Sequence, residues 1–77
     1  MNFKKFEDLW NYSEEISSNE KISTDEAILK VSESLKQKMY GEVFYNLSII
    51  SKNENINIFV ELQRAVQDHF IAQQEDD

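Results

Sequence analysis

The sequence predicts an all-α domain, a small three-helix bundle with a long middle helix that bends where its apolar stripe changes direction. Three observations carry that expectation. Apolar residues recur at steps of three and four along most of the chain. Period-two alternation is not sustained beyond the brief "NINIF" at 55–59, and the chain holds one glycine, Gly41, and no proline. Punctuation is confined to "SSNEKIS" at 17–23, "SKNEN" at 51–55 and a closing "QEDD". A single helical domain spanning residues 1–77 is therefore expected, with 72–77 a frayed acidic tail.

The first helix is expected over about residues 2–16. Phe3, Phe6, Leu9, Trp10, Ser13 and Ile16 fall on one face, and Lys4, Glu7, Asp8, Asn11 and Glu15 on the other. Trp10 is read as core.

The second helix opens on Ser23-Thr24-Asp25-Glu26, which fits a capping box in which the Ser23 hydroxyl accepts from the first turn and Glu26 reaches back. Ile28, Val31, Leu35 and Met39 follow as a narrow stripe. Past Met39 a new stripe of Tyr40, Val43, Phe44, Leu47 and Ile50 is centred roughly 120° away on a continuous wheel. A turn at Gly41 would produce that shift, and so would one helix packing different neighbours with its two halves. The segment "KMYGE" has no Asn, Asp, Ser, Thr or Pro to start a new helix. Glycine within a helix costs only about 1 kcal/mol relative to alanine. Continuity is the expectation, giving a middle helix over about residues 24–51, about 42 Å long. The alternative is a four-helix bundle with a turn near Gly41.

The last helix follows "SKNENIN", where Asn53, Asn55 or Asn57 can cap it. Phe59, Leu62, Val66 and Phe70 read as its inward stripe. Glu61, Arg64 and Asp68 form a short charge ladder outside.

Composition narrows the function. Without cysteine there are no disulfides, thiolate nucleophiles or thiolate zinc sites. "MNFKKF" leads into a charged amphipathic stretch and not an apolar signal core, and no apolar run is long enough to span a bilayer. A cytoplasmic protein is expected, in which the sequons at Asn11 and Asn46 mean nothing. Fifteen acids against eight bases, a net charge of −7, disfavour direct nucleic-acid or membrane binding and favour solubility.

Chemistry-bearing residues are few. His69 is the only histidine, its neighbour Asp68 points about 100° away, and Val66 sits where a Glu-x-x-His metal pair needs an acid. A single histidine permits no triad, and a single glycine no phosphate loop. No enzyme, metal or cofactor is expected. Glu54, Glu61, Asp68 and Glu75 recur every seven residues, about 10 Å apart along one helical stripe, too far to share an ion.

The more informative feature is a second strip on the last helix. Val60, Gln63, Gln67 and Ile71 mix apolar residues with uncharged amides, which suits a surface covered part of the time. Tyr45 and Ile49 are added as candidate partner-binding residues, because Phe44 and Tyr45 cannot both face one neighbour. The expected function is a protein-binding or regulatory module that forms a homodimer or docks on a larger protein. The alternative is an acidic inhibitor that mimics nucleic acid through Glu54, Glu61 and Asp68. A helix-turn-helix DNA reader ranks last, because "EVFYNLSIISK" holds one basic residue.

Overall fold

In the computed structural model, which describes residues 5–75, the chain forms four helices: α1 (Phe6–Ser17), α2 (Thr24–Lys36), α3 (Tyr40–Asn53) and α4 (Ile58–Glu75). No strand occurs among the described residues, so "NINIF" is loop and helix start. Phe3 and Lys4 lie outside the described residues. The tail expected to fray from residue 72 is helical through Glu75.

The continuous middle helix is overturned, and Gly41 is not the cause. The chain turns at Gln37–Met39. Lys38 takes a left-handed φ of 61°, with Met39 N–H donating to the Ser34 carbonyl (2.8 Å) and Lys38 N–H to that of Leu35 (3.1 Å). This pairing closes a helix end by satisfying its last carbonyls. A glycine is the usual residue at the left-handed position, and lysine there costs about 1–2 kcal/mol. Gly41 has no positive φ and lies in the first turn of α3. The 120° jump between stripes is therefore a change of helix.

The same device ends α3. Asn55 has φ 54°, Ile56 N–H donates to the Ser51 carbonyl and Asn55 N–H to that of Lys52, each at 3.1 Å. The three asparagines divide the work. Asn55 makes the turn, which its short polar side chain tolerates. Asn53 Nδ2 donates to the Ile22 carbonyl (2.8 Å), tying α3 to the loop before α2. Asn57 Oδ1 accepts from the amides of Phe59 (3.0 Å) and Val60 (3.3 Å) and caps α4. At the start of α2 the Ser23 hydroxyl accepts from Glu26 N–H at 3.2 Å, as its capping pattern predicts.

The main interfaces join α2 to α3 and α1 to α3. Helix α3 is thus central, and from Tyr45 to Ser51 every residue is buried or half-buried. Small polar residues let the helices approach. Ser17, Asn46, Ser48 and Ser51 are all buried, and each hydrogen-bonds a carbonyl of its own element or of the adjoining loop. Among the described residues the buried apolar core is thin: Trp10, Ala27 and Ile49. On α2 the covered residues are Thr24, Ala27, Lys30, Val31 and Ser34, while Ile28, Leu35 and Met39 of the expected stripe are about half exposed. Close approach selects the small side chains and turns the large ones out.

Among the described residues helix α4 forms no interface of comparable extent. Its root is anchored through Phe59, whose ring meets Phe6 and Trp10 edge-on at 6.3 and 6.4 Å. Beyond Phe59 every described side chain of α4 is exposed. The radius of gyration of 14.7 Å is well above the roughly 11–12 Å of a compact chain of this length.

Candidate functional site

A helix earns burial for one apolar side by turning it toward a neighbour. Helix α4, about 27 Å long, turns its apolar sides toward solvent. Leu62, Val66 and Phe70, expected to face inward, are 57–59% exposed. Val60 and Ile71, expected on the outer strip, are 40% and 50% exposed. Val60, Gln63, Gln67 and Ile71 therefore share one exposed side, and the supposed core stripe is a second such surface next to it. A shallow hollow lined by Val60, Gln63, Val66, Gln67 and Phe70 joins the two.

A second apolar feature lies on the bundle itself. Phe6, Leu9 and Ile16 of α1 face Gly41, Phe44 and Tyr45 of α3 across a groove of about 420 Å³. Trp10 closes its floor, and among the described residues its buried Nε1 has no hydrogen-bond partner. Gly41 contributes no side chain to the wall, and a Cβ built there would meet nothing within 4 Å. The groove adjoins the root of α4, since Phe6 belongs to both.

Tyr45 is half-buried in this wall and lies apart from the α4 strip with which it was grouped. Burial pushes its phenol up from the ordinary value of 10.0, and the negative charges of Glu20 and Glu42 act in the same direction. Ile49 is corrected: at 2% exposure it is core, because α3 is covered on both flanks, and it offers nothing to a partner.

The acidic line is also corrected. Glu54 caps the end of α3 and its Oε2 accepts from the Thr24 hydroxyl (2.8 Å), so it does not share a helix with Glu61 and Asp68. Glu61 lies 3.7 Å from Arg64, which offsets part of its charge. Asp68 and His69 are exposed on α4. Among the described residues no three His, Cys, Asp or Glu side chains converge as metal ligands, and no helix is long and apolar enough to cross a membrane.

Phe6, Leu9, Ile16 and Phe44, with Leu62, Val66 and Phe70, are the surface residues that periodicity assigned to the core. For the three on α4 one signal was present: Phe59, Val60, Leu62, Val66, Phe70 and Ile71 occupy more of the helix circumference than a single neighbour can cover.

No protein-family model matches the chain, and no curated protein or solved structure shows significant similarity to it.

Proposed function

We propose that this chain is a small helical protein-binding module whose recognition element is α4. The observation that carries the reading is the exposure of Leu62, Val66, Phe70, Val60 and Ile71 along one helix. A helix of this length standing alone is marginal in water, because tertiary packing supplies most helical stability. Contiguous apolar surface of this kind on a small protein marks an interaction site. Gln63 and Gln67 between the apolar residues avoid burying charge when the surface is covered. The module is proposed to act by binding, with association driven by apolar burial.

Mimicry of nucleic acid has less support, since Glu54 leaves the acidic line and Arg64 faces Glu61. Affinity capture with the full chain separates the two readings. Apolar docking keeps its partner in about 0.5 M salt, where exposed charges are screened within a few ångströms, and loses it in Val60→Glu or Ile71→Glu. Capture that survives both substitutions yet vanishes in that salt would overturn the proposal.

A further inference from the structure

Helix α4 carries an uncovered apolar strip, and the bundle carries an apolar groove between α1 and α3. We propose that the partner is a second copy of this chain, with each α4 laid in the groove between α1 and α3 of the other. The inference rests on the protein-binding reading above and names the occupant.

Three observations support it. Leu62, Val66 and Phe70 form a strip at three- and four-residue steps, and Phe6, Leu9 and Phe44 line a groove next to the root of α4; all six are 42–59% exposed. Side chains of this size, half exposed, each retain on the order of 70–100 Å² to bury. Six of them give roughly 400–600 Å² of apolar area per copy, and with the usual polar rim roughly 700–1,000 Å², which matches the ~800 Å² per partner of a stable complex.

The second observation is Gly41. Neither a positive φ nor a neighbouring atom requires glycine there, and the position costs helix stability. A helix lying in the groove does require it, because a missing Cβ lets another backbone come close.

The third is the fixed root of α4. The turn at Asn55, the Asn57 cap and the edge-on rings of Phe59, Phe6 and Trp10 direct the helix away from the bundle. Folding back into its own groove would break these contacts; reaching a second copy breaks none. The exchange is reciprocal, so a two-fold axis closes it at a dimer.

The test is the solution mass of the full chain from about 1 µM to about 500 µM, with a dissociation constant expected in about the micromolar range. The expected mass rises toward twice 9.1 kDa. Val66→Glu on the helix and Phe44→Glu in the groove should each leave a monomer with the helicity of the dilute wild-type monomer. Should Phe44→Glu lower helicity, Leu9→Glu probes the same groove. A one-to-one mixture of the helix and groove variants keeps one intact contact and should associate about tenfold more tightly than either alone.

A dimer that ignores the groove variant is an α4–α4 pair, and one that ignores the helix variant is a groove–groove pair; either overturns the proposal. A mixture no tighter than its components does the same. A wild-type chain that stays monomeric throughout removes the second copy as occupant, while the binding reading then stands or falls on the capture experiment.

Discussion

The hydroxyls of Ser13 and Ser48 lie 2.6 Å apart, joining α1 to the central helix at a point where Ser48 is fully buried. Ser48 also donates to the Tyr45 carbonyl at 2.6 Å, so Ser13 is best placed to donate to Ser48. The contact sets how closely the two helices approach. Ser48→Ala should cost about 1 kcal/mol, the net worth of a part-buried hydrogen bond. Ser48→Leu should cost more, about 1–3 kcal/mol, because the added carbons have no space. Urea denaturation of the three proteins checks the order; equal or higher stability for Ser48→Leu would show that the helices are not in close contact there.

The chain's one glycine and the left-handed Lys38 stand three residues apart with their usual places exchanged. Gly41→Ala should stabilise the monomer by up to about 1 kcal/mol, since the added methyl meets no atom and helix propensity improves. Lys38→Gly should also stabilise, by about 0.5–1 kcal/mol, by relieving the left-handed conformation at some cost in unfolded-chain entropy. Thermal midpoints of the single variants measure both effects. A loss of stability in Lys38→Gly would refute the turn at Gln37–Met39.

Those residues also show where the sequence was legible. Helical phase located Trp10, the Ser23 hydroxyl fits its cap, and Asn57 is one of the three asparagines placed before α4. The turn was illegible because lysine makes it, and because Met39, the residue before α3, supplies no capping side chain. Hydrophobic patterning ranks residues by apolarity, whereas close packing ranks them by size. Ala27 and Ser48 are therefore inside while Ile28 and Leu35 are outside. Periodicity also says that a face is apolar without saying what covers it. Leu62, Val66 and Phe70 were for that reason assigned to a core that does not contain them.

The wall of the groove should report on alkaline pH. The Tyr45 phenol is held above its ordinary 10.0 by burial and by Glu20 and Glu42. The folded state favours the neutral phenol. Its stabilising contribution is whole below the unfolded value and is lost as pH rises through the higher folded value. Stability should therefore fall above about pH 10 in the wild type, and this component should be missing in Tyr45→Phe. At neutral pH, well below the ordinary 10.0, the Phe variant should differ from the wild type by no more than about 0.5 kcal/mol. Urea midpoints in a pH series give both quantities, and parallel curves for the two proteins would show that the Tyr45 phenol is not held above its ordinary value.

Helix α4 should be the least protected part of the dilute monomer. Its free energy of opening depends on its own backbone and cap, because past Phe59 it has almost nothing to pack on. Removing the cap with Asn57→Ala should cost the helix about 1 kcal/mol. That loss should appear as faster amide exchange between Leu62 and Gln74 and as reduced helicity, with the unfolding midpoint of the α1–α3 bundle almost unchanged. Raising the protein concentration should restore protection if each α4 enters another chain's groove, and the Val66→Glu variant should not recover it. Amides in α4 that exchange as slowly as those of Ile49, independently of concentration, would mean that the helix is already covered within the monomer.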